Sequence, residues 1–365
     1  MIPIYKPYMP EDLLPELNDI LYSGQLSFGK YGKQFELQLK EFIGCEYILT
    51  INSYNTAMQV VLSTLGLQFG DEVIASPVSC LASNQPFATK GLKVIWADIN
   101  PETGTLCPTD VEAKITTNTK AIFHNHFCGY VGEINAINAL GKKYNIPIID
   151  DGIESFGSEY NGKRLGNVGT DVTVFSFQTV RLPNTIEGGA IVFKDKALYD
   201  KALLIRDYGI DRSKFRASDG EINPSCDIQL EGYGGLMSEV NSFIGTKQML
   251  DITQLLKQQQ QNAIKWQNEL QNSTDIKSLQ INNNTNPNFW VYGTLSENSK
   301  ETIAYFKSRG YYATGVHINN NIYSVFNNKI DLEGVNRFKQ QFVAIPSGWW
   351  VSNSIINIDD KSNKT

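Results

Sequence analysis

Between about residues 46 and 195 the chain repeats one pattern: a short apolar run ending in polar residues, then a stretch with apolar positions at helical spacing. EYILTINS, DEVIASP, KVIWADI, AIFHNHFCG and IPIIDDG have the length and bounding residues of strands. AMQVVLSTLGL, with Met58, Val61, Leu62 and Leu65 at helical spacing, and EINAINALGKKYN read as crossover helices. This alternation predicts an α/β core around a mostly parallel sheet. Beyond it, ITQLLKQQQQNAIKWQNELQ reads as a long helix with glutamines facing solvent, and NNNTNP at residues 282–287 reads as a linker. NFWVYGTL, SKETIAYFKSRG and ATGVHI then suggest a smaller α+β unit. The expected division is a large α/β domain at residues 1–250, a connecting helix and linker at 251–286 and a small C-terminal domain at 287–365.

Composition narrows the class. With 365 residues, 41% hydrophobic and 19% charged, the chain is ordinary globular material. A net charge of -6 argues against general attraction to nucleic acid or anionic lipid, so a small-molecule ligand is the default expectation. The segment MIPIYKPYMPEDLL lacks a basic and apolar leader pattern, and no run approaches the roughly 20 apolar residues of a membrane span. A soluble, cytoplasmic protein is expected. The five cysteines are scattered and read as reduced. Of the three histidines His124, His126 and His317 that could bind metal, the first two are read as alternating along a strand and pointing to opposite faces, so no metal site is expected.

Ligands of open α/β sheets bind beyond the carboxyl ends of the strands. Three places qualify. The segment Asn52 to Ala57 joins a strand to a helix, where its polar groups either hold an anion or simply cap the helix. Asp150 and Asp151 end an apolar run, a poor place for two carboxylates unless they work. Arg181 sits in a polar, glycine-containing loop between two apolar strands, either solvated or as an anion ligand.

In this order, LNDILYSGQLSFGKYGKQFELQLKEFIGC, GDEVIASP, KVIWADINPETG, IIDDGIESFGSEYNGKRLGNVGTDVTVFSF and EGYGGLMSEVNSFIGTKQML resemble the DegT-type family of nucleotide-sugar aminotransferases over nearly the whole chain. The resemblance implies a fold type I α/β architecture, a homodimer with active sites near the interface and a pocket for pyridoxal phosphate and a nucleotide-linked sugar. It places Asp151 against the pyridinium nitrogen, where an aspartate makes the ring an electron sink. Ser176 matches the serine that helps hold the cofactor phosphate, with Asn55 and Thr56 beside the same group.

The departures carry as much. Aligned without a gap, Arg181 falls where the Schiff-base lysine belongs, and no lysine lies between Lys163 and Lys194. Arginine, with a pKa above about 12, does not form an imine or shuttle a proton. Cys80 replaces a stacking aromatic ring, Tyr54 a glycine at the phosphate, Asn55 a threonine, Gly234 an asparagine that reaches the partner subunit, and Glu154 a glutamine or histidine. The sequence therefore predicts a divergent, lysine-less member that binds a nucleotide sugar in surface-polysaccharide or deoxysugar metabolism, without conventional transamination and with no cofactor. Non-covalent pyridoxal or pyridoxamine phosphate is the alternative for the cofactor. A dehydratase using pyridoxamine phosphate and a non-catalytic partner of an active homologue are the alternatives for function. Asp151, Glu154 and His126 are the acid-base candidates, with His126 equally readable as a hydrogen-bonded strand-end residue. Arg181, Tyr54 and Tyr31 are candidate anion or substrate contacts. Trp349 and Trp350 in the tail GWWVSNSIINIDDKSNKT read as packing.

Overall fold

The computed structural model describes residues 1–351. In chain order the strands are β1 (Tyr47–Ile51), β2 (Glu72–Ala75), β3 (Lys93–Trp96), β4 (Thr119–Asn125), β5 (Ile148–Asp151), β6 (Glu159–Tyr160), β7 (Lys163–Arg164), β8 (Val172–Ser176), β9 (Gly189–Phe193), β10 (Ile276–Ser278), β11 (Thr285–Asn286), β12 (Tyr292–Ser296) and β13 (Phe342–Ile345). The helices are α1 (Leu14–Tyr22), α2 (Lys30–Ile43), α3 (Tyr54–Thr64), α4 (Leu81–Thr89), α5 (Pro108–Lys114), α6 (Ile134–Tyr144), α7 (Lys196–Arg206), α8 (Glu239–Leu270), α9 (Ser299–Ser308) and α10 (Glu333–Gln341).

A seven-stranded sheet in the order β1-β9-β8-β5-β4-β2-β3 forms the centre. β3, β2, β4, β5 and β8 run parallel, while β9 is antiparallel to both of its neighbours. The parallel strands are buried on both faces, which explains their nearly continuous apolar runs. On one face Ile149, Val174 and Phe123 pack with Ala57, Val61 and Phe87 of α3 and α4. On the other, Ile148, Ile122 and Ile74 pack with Val111, Ile137 and Leu140 of α5 and α6. Successive residues of β5 face opposite layers, so Asp151 follows Ile149 to the first face and Asp150 follows Ile148 to the second.

The five anticipated strands form, but two readings need correction. The stretch taken as a linker contains β11, which pairs antiparallel with β6. Its asparagines do structural work: Asn282 donates through Nδ2 to the Val131 carbonyl at 2.8 Å, and just beyond the stretch buried Asn288 donates to the carbonyls of Glu154 and Phe156. The long helix begins earlier than anticipated, at Glu239, where the Ser238 side chain accepts from the Asn241 N–H. Glu239 in turn accepts from the backbone N–H groups of Gly29, Tyr31 and Gly32 and caps α2 with a carboxylate. Strands β10, β12 and β13 form a separate antiparallel sheet. Trp350 donates to the Pro3 carbonyl and Trp349 packs edge-on against Tyr8; the tail beyond Val351 lies outside the described residues. No described helix is long and apolar enough to cross a membrane.

Candidate functional site at the carboxyl end of the sheet

Asp151 ends β5 and is fully buried. Its Oδ1 accepts the Tyr54 hydroxyl at 2.7 Å and the Ile153 N–H at 3.2 Å, and its Oδ2 accepts the Ser79 hydroxyl at 3.2 Å. Tyr54 comes from the first turn of α3 and Ser79 from the segment after β2, so three strand ends converge here. Burial lifts the Asp151 pKa above its usual value despite the Tyr54 bond, with Glu154 adding to the rise. Burial and the adjacent Asp151 charge push the Tyr54 phenol well up, so it stays a donor.

Glu154 follows in the turn after β5. Its Oε2 accepts the Cys128 N–H at 2.8 Å, and its Oε1 lies 2.7 Å from His317 Nε2 and 3.5 Å from an Arg181 terminal nitrogen. Burial alone would raise the Glu154 pKa, but His317 and Arg181 outweigh it and hold the carboxyl below its usual value. The Arg181 guanidinium lies over the Trp290 ring at 4.4 Å, and Trp290 stacks on Tyr5 at 4.5 Å. Arg181 Nε is buried without a hydrogen-bond partner. Trp290 and Tyr5 escaped the sequence reading, and His317 entered it only as a possible metal ligand, because they come from both ends of the chain and carry no local motif. The surroundings of Asp151 and Glu154 move their pKa values in opposite directions.

The second face of β5 corrects the histidine reading. Residues two apart on a strand share a face, and His124 and His126 both converge on Asp150. His124 Nδ1 lies 3.0 Å and His126 Nε2 3.2 Å from Asp150 Oδ1. His126 Nδ1 accepts the Gly132 N–H at 3.1 Å, while His124 Nε2 and Asp150 Oδ2 have no hydrogen-bond partner. These three side chains are the one group among the described residues with metal-ligand composition and spacing, their ligand atoms lying within 4.8 Å of one another. His126 thus belongs with Asp150 rather than with Asp151 and Glu154. Burial lowers the His124 pKa, and the two imidazoles overcome burial to hold Asp150 well below its usual value.

The remaining candidates scatter. Ser53 caps α3 by accepting the Thr56 N–H at 3.1 Å, so the capping alternative describes this turn, with Asn55 exposed. Ser176 Oγ, at the end of β8, accepts the Gln178 N–H at 3.3 Å. Tyr31 packs edge-on against Phe243 in the cluster between α1 and α8. Cys80 is half-buried, and burial raises its thiol pKa, so it is a neutral thiol. At Gly234 a Cβ would meet the Tyr208 hydroxyl at 2.2 Å, a steric reason for glycine there.

The sequence pattern of the DegT/DnrJ/EryC1/StrS aminotransferase family matches residues 7–351. An uncharacterised protein of Methanocaldococcus jannaschii is 27% identical over 271 residues, covering 74% of this chain and 70% of its own length. The crystal structure of the sugar aminotransferase CalS13 from Micromonospora echinospora superposes with a TM-score of 0.91 at 26% identity, over 97% of this chain and 96% of that one. A GDP-4-keto-6-deoxymannose-3-dehydratase with a trapped pyridoxal phosphate–glutamate geminal diamine shares the fold, with a TM-score of 0.85 at 20% identity over 96% of each chain. These matches identify the fold as aminotransferase fold type I and correct the expectation of no cofactor: the family is built around pyridoxal phosphate, so a cofactor is expected. As placed, two features do not fit that group. Asp151 already receives a donor from the ring of Tyr54, and the β8–β9 loop presents Arg181, which forms no imine.

Proposed function

The chain belongs to the DegT/DnrJ/EryC1/StrS aminotransferase family, and on that premise we propose that it acts on a nucleotide-linked sugar in surface-polysaccharide or deoxysugar metabolism, its pyridoxal-type cofactor held without a covalent bond to this chain. The observation that carries the reading is the buried group of Asp151, Glu154, His317 and Arg181 at the carboxyl end of the sheet. Burial in low dielectric makes such polar groups costly unless they are matched, and Arg181 Nε is left unmatched inside the site. A guanidinium offers a donor fork to phosphate or carboxylate oxygens, so Arg181 is assigned to an anionic group of the sugar nucleotide. Burial raises the Asp151 pKa, while His317 and Arg181 hold that of Glu154 down, so Glu154 is the more readily ionised of the two. Glu154 is accordingly the proton acceptor, with His317 on the same oxygen as the group that relays or stabilises the charge. When bound, a pyridoxal-type cofactor supplies an electron sink.

A dehydratase using pyridoxamine phosphate is the second reading, favoured by Arg181 in the loop where the family's lysine is expected. A homodimer accompanies both readings. Leu14, Tyr22 and Leu250 are exposed apolar residues on α1 and α8, and sedimentation equilibrium returning a monomer would remove the dimer. Calorimetry with one keto sugar on each common nucleotide carrier, each with and without added cofactor, tests the proposal. Saturable binding of at least one sugar nucleotide is expected, and absence of binding across the panel overturns it. Mass spectrometry of the same mixtures separates amino transfer from loss of water.

A further inference from the structure

The position of Tyr54 raises a question that its role as a core residue does not answer. It is the first residue of α3, set by the Ser53 cap, and only 5% exposed. Its hydroxyl donates to Asp151 Oδ1 at 2.7 Å, a short bond to a carboxylate. To that carboxylate, a buried phenol presents a donor on the rim of a planar six-membered ring. A protonated pyridine presents the same thing. Nothing else on Asp151 has this character, since its other donors are a backbone N–H and a small hydroxyl. The phenol is held as a donor by burial and by the Asp151 charge, so it does not give up the bond by ionising near neutral pH.

We infer that Tyr54 sets this protein's affinity for a pyridoxal-type cofactor, its ring and hydroxyl competing with the cofactor's ring and ring nitrogen for the same place on Asp151. A cofactor that enters must displace the Tyr54 hydroxyl, and part of its binding free energy offsets that loss. Giving up a hydrogen bond to a charged group is enough to weaken cofactor binding about tenfold or more. The inference rests on the reading that the family's cofactor belongs at this site, and it requires no sugar.

Equilibrium dialysis of the full chain against pyridoxamine phosphate, followed by absorbance, tests it in the parent, Tyr54→Phe and Tyr54→Ala, each first checked by circular dichroism. Pyridoxal phosphate serves as a second probe. Tyr54→Phe removes only the hydroxyl, and Tyr54→Ala also removes the ring. The expected result is tightening by about tenfold in the first and by more in the second, where tenfold corresponds to about 1.4 kcal/mol. Should Tyr54→Ala fail to fold, the Tyr54→Phe titration decides alone. An unchanged dissociation constant, or no binding by parent and variants alike, overturns the inference. So does a gain in Tyr54→Ala that persists undiminished when Asp151→Asn is added, because the gain would then come from the space vacated and not from Asp151. Sugar nucleotides are absent throughout, so failure here leaves the sugar reading standing, and failure of the sugar calorimetry leaves this measurement standing.

Discussion

Asp150 and Asp151 are neighbours in sequence, equally buried and on the same strand, yet their surroundings move them in opposite directions. Asp150 sits against two imidazoles in a closed cluster roofed by Gly132, where a Cβ would meet His124 Nε2 at 2.1 Å. Asp151 is held by neutral donors, with Glu154 nearby, on the side to which His317 and Arg181 also come. The two faces of one strand thus set one carboxylate against two imidazoles and the other against neutral donors beside Glu154.

Removing each aspartate tests that separation with the largest effect. Asp150→Ala removes the hydrogen-bond partner of the buried His124 Nδ1 and the carboxylate 3.2 Å from His126 Nε2, a loss of about 2 kcal/mol or more. Asp151→Asn keeps an acceptor for the Tyr54 hydroxyl and removes a charge that burial already disfavours, so it costs about 1 kcal/mol or less. Urea denaturation of the two variants measures the difference. Equal losses would mean that both aspartates are structural and would break the comparison.

How much of this was legible in the sequence follows from how local each signal is. The core strands and Asp151 as a strand-end carboxylate could be read because the apolar period and the polar terminus lie within one segment. β11 could not, because an asparagine-rich stretch becomes a strand only when β6 offers its edge. The histidine pair was misassigned by misapplying a local rule, since a spacing of two places side chains on one face. The place of His317, Trp290 and Tyr5 was not legible for a different reason: they meet Glu154 and Arg181 only through the packing of distant segments, as the His317–Glu154 contact at 2.7 Å shows. Tyr54 stands where the family has a glycine at the phosphate, and its hydroxyl reaches the strand-end carboxylate.

A pH series sharpens the Asp150 side. Burial lowers the folded-state pKa of His124, so near pH 6 the unfolded chain binds a proton that the folded chain does not. Stability therefore falls as pH drops below about 6.5, the ordinary histidine value, by at most about 1.4 kcal/mol per pH unit for this one proton. Asp150 works at lower pH. With its folded pKa depressed, its contribution is intact above the ordinary aspartate value of about 3.9 and is lost only as pH falls toward the folded value. Urea midpoints at pH 7.5, 6.5 and 5.5 should decline, and His124→Asn should flatten the decline. A parent protein equally stable across that range would show that folding does not shift the His124 pKa, and rising stability toward pH 5.5 would show that His124 is protonated in the folded state.

The smallest expected effect is on ligand affinity, and it falls on one face only. Arg181 touches Glu154 and Trp290 but keeps a buried Nε without a partner, so a bound anion is its natural third contact. Arg181→Ala should weaken the sugar nucleotide found by calorimetry about fivefold, or about 1 kcal/mol. Arg181→Lys should recover part of that loss, because an ammonium keeps the charge but not the planar fork. His124→Asn, acting only on the closed face, should leave the affinity unchanged once its lower stability is allowed for. If the two faces were coupled, His124→Asn would weaken binding as much as Arg181→Ala does, and β5 would then transmit strain between Asp150 and Asp151 instead of insulating one from the other.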